Sequence, residues 1–133
     1  MGNIISNLYT KHLNAKVEEY WNIYHFDMTP GHQAYNNEGD AFKHCYWQAE
    51  MTLFFGRWIA NWMGVKHEDN NPYNTPAERE MDLHNNAEGR KIAKELKKRW
   101  GFFWFLRNWD DGIAQLIMHA MGDGKLITKP REE

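Results

Sequence analysis

Apolar residues recur at helical spacing along most of this chain, and no stretch alternates as a half-buried strand would. Ile5, Leu8, Leu13, Val17, Tyr20, Trp21 and Tyr24, with Lys and Glu between them, predict a first helix over 4–24. The Pro30–Gly31 pair marks 27–32 as a turn. A central helix is expected from Asn37, its N-cap, to about Met63, with Gly64 closing it. Residues 65–74 are polar and irregular and read as a loop. Thr75 as N-cap, Pro76 at the first helical position and Glu78 at the third then start a helix reaching Arg99. Gly101 interrupts the pattern, and the aromatic run 102–106 predicts one or two helical turns. Asp110 and Asp111 cap a last helix through Ile113, Leu116, Ile117 and Met121, closed by Gly122. The expected fold is all-α, a compact bundle of four to five helices with no significant sheet. It forms a single domain, 1–133, with a motif-bearing core at about 36–92, an aromatic segment at 100–109 and a polar tail at 124–133.

Two helices carry polar groups where the pattern calls for apolar ones. On the central helix Lys43, Glu50 and Arg57 mark a solvent stripe, and Ala41, Cys45, Ala49, Thr52 and Ile59 lie roughly opposite. Asp40 and His44, four residues apart and so stacked on one face, fall on the border beside Trp47 and Met51. That position suits the wall of a cleft; the plainer reading is a polar first turn with a boundary histidine. On the third helix Asp82, Asn85 and Gly89 share the arc of Met81, Ile92, Ala93, Leu96 and Trp100, while Arg79, Lys94, Lys97 and Lys98 lie away from it. Burying an aspartate without a partner costs several kcal/mol, and His44 is the natural partner. An antiparallel pair joined by a loop of about ten residues would bring them together only at a steep crossing. His84 borders the polar face. His12, His25, His32 and His119 read as surface or boundary residues.

Composition narrows the class. Seven Trp within 15% aromatic residues imply a core of large rings or a surface that meets something apolar. The net charge of −2 gives no global basic field, so specific nucleic-acid binding is not indicated. Cys45 alone excludes an intramolecular disulfide and a cysteine-cluster zinc site, and reads as a small buried hydrophobe. No signal peptide or membrane span is visible, so a cytoplasmic protein is expected. Residues 1–6 fit the N-myristoylation pattern at Gly2, which in a eukaryotic or viral setting would add weak membrane association.

The segments Gly39-Asp40-Ala41-Phe42-Lys43-His44-Cys45-Tyr46-Trp47, His67-Glu68 and Met81-Asp82-Leu83-His84-Asn85-Asn86-Ala87-Glu88-Gly89-Arg90 occur in that order. Together they resemble a little-characterised bacterial and phage family with the pattern "GDAF(R/K)HxYW … HE … MDLHNNxxGR". That family also occurs as C-terminal modules of Rhs and wall-associated toxin-like proteins. The resemblance covers roughly 36–92, and 122–126 is similar as well. Its toxin-like setting implies hydrolysis of a cell component.

The residues themselves support a small hydrolase acting on a phosphoester or ester in a lipid, nucleic acid or cell-envelope component. Asp40, His44, His67 and Asp82 form a mixed oxygen and imidazole set suited to a divalent metal, zinc first among the candidates. His44 would act as base or ligand, Asp82 as orienter or ligand, Glu68 as base and Asn85 as the substrate or oxyanion contact. A metal-free version is a His44–Asp82 dyad activating water, with a likeness to secreted phospholipases A2 limited to the paired-helix His–Asp arrangement. Glu68 can equally be a solvated loop charge. The 100–109 segment would touch a membrane peripherally, or lie as a lid over the core. The alternative is a non-enzymatic helical binding protein whose polar cluster is structural and whose aromatic segment meets a protein or membrane partner.

Overall fold

The computed structural model describes residues 2–29, 31 and 35–131, with side chains from Lys11 onward. The acylation pattern at the N-terminus, the side chains of Ile5 and Leu8, and His32 lie outside the described side chains. Five α-helices and one 3-10 turn follow in order: α1 (Gly2–Tyr24), α2 (Glu38–Phe55), α3 (Arg57–Asp69), α4 (Pro76–Trp100), the 3-10 turn (Trp104–Leu106) and α5 (Trp109–Gly122). The fold is all-α, with no strand among the described residues. No described helix is long and apolar enough to cross a membrane.

The caps that the sequence offers are made. Asn37 Oδ1 accepts the Asp40 N–H at 3.0 Å, and Thr75 Oγ1 accepts the Glu78 N–H at 3.1 Å with Pro76 at the helix start. The cap of α5 is Asn108, which accepts from the Asp111 N–H, rather than the Asp110–Asp111 pair, which fills the first turn.

The expected central helix is two helices. Gly56 sits at φ +85° with its N–H on the Thr52 carbonyl, a backbone conformation that side-chain-bearing residues rarely adopt. Apolar spacing runs unbroken through Phe54, Phe55, Trp58 and Ile59, so the periodicity carried no trace of the break. After it, α3 continues to Asp69, so His67 and Glu68 are helical rather than in a loop. The break also resets the helical phase: Ile59, expected inside, is 50% exposed. Glu50, expected in the solvent stripe, is 2% exposed.

The inserted α3 turns what was expected as an antiparallel pair into a parallel one. His44 meets Asp82, and further along Gln48 meets Arg90, so the contacts climb both helices together. No steep crossing is required. The core gathers Leu13, Val17 and Tyr20 of α1, Phe42, Cys45 and Tyr46 of α2, Met81, Ile92 and Leu96 of α4, and Ile113 and Ile117 of α5. Tyr20, Phe26, Phe42 and Tyr46 form a continuous ring cluster with neighbouring centroids 4.8–5.9 Å apart. The tail read as polar is partly core, because Leu126 and Ile127 are buried.

Glu50 is a buried carboxyl outside the motif cluster. Trp109 Nε1–H donates to its Oε2 at 3.2 Å, while Oε1 is buried without a hydrogen-bond partner. Tyr46 O–H donates to Asp110 Oδ1 at 3.0 Å. Burial, reinforced by the Asp110 carboxyl beside it, pushes Glu50 up to about 9 from an ordinary value of 4.5. The folded state therefore holds a proton that the unfolded chain releases. The stability linked to it is full below pH 4.5 and is lost as pH rises through about 9. Glu50→Gln keeps an acceptor for Trp109 without the titration. It should be more stable than the parent at pH 8 by about 1–2 kcal/mol, with the gap closing on acidification. Urea unfolding at several pH values checks this, and a less stable variant at pH 8 would refute it.

Candidate metal centre

The three motif segments converge at one end of the bundle. Asp40 is the third residue of α2, His44 stands one turn on, and Asp82 projects from α4. His44 Nε2 lies 3.3 Å from Asp40 Oδ1 and 3.3 Å from Asp82 Oδ1. One ligand atom from each of the three residues falls within 4.8 Å of the other two. A tetrahedron with metal–ligand bonds of about 2.0 Å has edges of about 3.3 Å, so both imidazole–carboxylate spacings suit a shared small cation. The three residues are 5, 6 and 7% exposed. Asp40 Oδ2 is held by the Asn36 N–H at 2.8 Å. Asp82 Oδ1, although 3.3 Å from the imidazole, is buried without an aligned hydrogen-bond donor.

One imidazole N–H cannot satisfy two carboxylates, and the electrostatics show it. Burial would raise Asp40, but the hydrogen bond and charge of His44 with the Asn36 N–H outweigh it, and its carboxyl is lowered. Burial dominates at Asp82 and, with the Asp40 and Glu68 charges, raises it to about 7 against the pull of His44. Burial opposes charging His44, yet the Asp40 hydrogen bond and both carboxylate charges leave the imidazole raised.

Glu68 and His67 stand beside the cluster at the last turn of α3, and His67, expected among the ligands, is not one of the three residues whose ligand atoms converge. Glu68 is buried rather than a solvated loop charge, its Oε2 accepts Asn74 Nδ2–H at 2.8 Å, and its carboxyl stands beside that of Asp82. The His67 ring stands 6.4 Å from that of His44, on the solvent side. Partial desolvation of its inner side, with the His44 and Lys43 charges, lowers its pKa despite Glu68. His44 and His67 open onto a cavity of about 240 Å³ that also touches Trp47, Gln48, Met51, Met63, Gly64 and Asn86. Asp40 and Asp82 stand behind His44 and do not line it.

Asn85 does something else. Its Nδ2–H donates to the Ile127 carbonyl at 2.8 Å, and its Oδ1 accepts the Ile127 N–H at 2.9 Å. Both halves of the amide are thus spent holding the tail, which corrects its reading as a substrate or oxyanion contact. His84 Nε2 lies 2.7 Å from the Lys125 carbonyl and supports the same segment.

The sequence reading missed Asn86 and Gln48. Asn86 is the second of two adjacent asparagines, and one helical step separates the residue that pins the tail from the one that faces the cavity. Gln48 lies one turn after His44, donates to the Ala60 carbonyl at 2.9 Å and accepts from Arg90 at 3.1 Å. Both pack on Gly64, where a Cβ would fall 2.6 Å from Gln48 Nε2 and 2.9 Å from Asn86 Nδ2. Of the remaining histidines described, His12, His25 and His119 are exposed, as expected.

The family model described as a domain of unknown function (DUF6973) matches residues 10–125. No solved structure matches the chain.

Proposed function

We propose, for a chain that belongs to this DUF6973 family, a metal-dependent hydrolase of an ester or phosphoester. Asp40, His44 and Asp82 would hold one divalent cation, zinc first among the candidates. The observation that carries this reading is the convergence of Asp40, His44 and Asp82, with both carboxylates 3.3 Å from His44 Nε2 and Asp82 Oδ1 buried without a donor. Bound there, a divalent ion would supply an acidified water and polarise the scissile oxygen. Glu68, beside Asp82, is the group placed to take the water's proton. His67, exposed at the mouth, is placed to meet a substrate oxygen. Trp47, Met51 and Met63 give the cavity an apolar wall, which suits a substrate with an apolar portion next to its ester. The likeness to toxin-like modules also fits hydrolysis of a cell component.

A structural reading, a polar network inside a binding protein, is favoured by the depth of the trio, because only His44 reaches the cavity. Elemental analysis of protein purified without a metal-affinity tag separates the two. About one equivalent of zinc, manganese or nickel is expected in the parent and is lost in His44→Ala. No metal in either protein would end the metal-centred reading. With metal present, chromogenic phosphodiester and carboxylester substrates assign the reaction class.

A further inference from the structure

An exposed apolar surface lies where α2 gives way to α3. Phe54 and Phe55 close α2, and Trp58, Ile59 and Trp62 follow on α3; all five are 47–75% exposed. The 3-10 turn and the two residues before it add Phe102, Phe103, Phe105 and Leu106, 46–81% exposed. The two groups are continuous, because the Phe54 ring contacts Trp104 at 5.8 Å and Trp104 contacts Phe105 at 6.0 Å. So much apolar surface on one side of a small protein marks a contact site.

Next to this ridge runs a groove of about 570 Å³ whose charged lining is entirely basic: Arg57, Arg90, Lys91, Lys94 and Lys97. Lys97 lies over the Trp104 ring at 5.7 Å and Arg57 over Trp58 at 4.7 Å, so ridge and groove share an edge. Lys94 and Arg57 have no carboxylate within 4.0 Å among the described residues. Lys91 pairs with Glu88, and Arg90 donates to Gln48. The chain as a whole is slightly acidic, at −2, so this is a local concentration of positive charge.

The charge calls for an anionic occupant, and the ridge for one that takes up apolar side chains. Nucleic acid would meet the cations but offers little to exposed Leu106 and Ile59, which cannot stack on bases. We propose that this face docks on an anionic phospholipid bilayer. The groove holds phosphate headgroups, and the ridge sits at the headgroup–acyl boundary. Lys and Arg beside Trp suit that boundary, with the charge at the phosphates and the ring below. The proposal is independent of the metal centre, so His44→Ala should bind bilayers as the parent does.

The test is co-sedimentation of the full chain with vesicles of phosphatidylcholine alone or with about one-third phosphatidylglycerol, at low and high salt. Binding to the anionic vesicles at least tenfold above the neutral ones, weakening with salt, is expected. Lys94→Glu should weaken it about twentyfold. Trp58→Ser with Phe102→Ser, both highly exposed and so tolerable to the fold, should reduce what remains at high salt. Thermal melts confirm that each variant is folded. Equal affinity for both vesicle types would overturn the proposal, as would anionic binding untouched by folded variants. Binding to a single-stranded oligonucleotide without vesicle binding would overturn it in favour of nucleic acid. A dimer that buries these residues without vesicle binding would assign the face to a second copy.

Discussion

Asp82→Asn is expected to act in opposite directions on stability and on metal retention. In the metal-free protein Asp82 is a buried carboxyl beside Asp40 and Glu68, raised to about 7. Its contribution to stability is full below the ordinary value of 3.8 and is lost as pH rises through about 7. Above that pH its ionised form is held at a cost, which a neutral isostere removes. The chelated variant should therefore be more stable than the chelated parent at pH 8, by about 1–3 kcal/mol after allowance for screening. The gap should close towards pH 4, where the parent carboxyl is protonated. Metal affinity should move the other way, falling at least about a hundredfold with the loss of an anionic ligand. Denaturant unfolding in chelator and titration with zinc read the two effects separately. A purely structural aspartate predicts loss of stability without any metal effect, and that outcome would refute the assignment.

Gly89→Ala should give the largest loss of stability from one added methyl group. A Cβ there would press on the Cys45 carbonyl oxygen and fall 2.9 Å from Gln48 Cβ and 3.1 Å from the Ala49 nitrogen. Two of these three atoms belong to the α2 backbone, which yields only by moving the helix. Alanine's better helix propensity returns about 1 kcal/mol, against an overpacking cost of about 3 kcal/mol or more. A net loss of about 2 kcal/mol is expected, or roughly 8 °C in Tm for a chain of this size. Separating α2 from α4 also pulls Asp82 from His44, so metal affinity should fall although no ligand is touched. An unchanged melting temperature would mean that the helices are not in close contact at this point.

Both predictions rest on features that the sequence declares unevenly. The Asn37 and Thr75–Pro76–Glu78 caps were legible because capping is local chemistry. Asp82, Asn85 and Gly89 were legible as inward-facing because three unusual residues shared one apolar arc, and the demand for a partner led to His44. Gly56 was not legible: a lone glycine within helical spacing is often tolerated, and only its positive φ makes it a break. Two other misreadings follow from that residue: a continuous helix put Ile59 inside and made α4 antiparallel to its partner. Gly64, taken as the helix end although α3 runs through it, left His67 and Glu68 to a loop. Glu50 was misplaced because a seven-residue charge pattern reads as solvent-facing, and only packing reveals Trp109 and Asp110 across from it. Asn85 was placed on the correct face, but its partner is the distant Ile127 backbone, which no spacing encodes.

The parallel arrangement of α2 and α4, made possible by α3, also sets the field at the site. It brings two helix starts and one helix end to the same corner of the bundle. Unpaired N–H groups give the helix starts a partial positive charge that fades within about one turn. Asp40 lies inside that turn of α2, where His44 and the Asn36 N–H outweigh burial and lower its carboxyl, whereas Asp82 is the seventh residue of α4, where burial with the Asp40 and Glu68 charges raises it. The finishing carbonyls of α3 carry the opposite partial charge beside His67. Two carboxylates of nearly identical intrinsic acidity thus become unlike. One is held as an anion by His44 and the Asn36 N–H at its helix start, and the other keeps its proton up to about pH 7, where a bound cation would displace it.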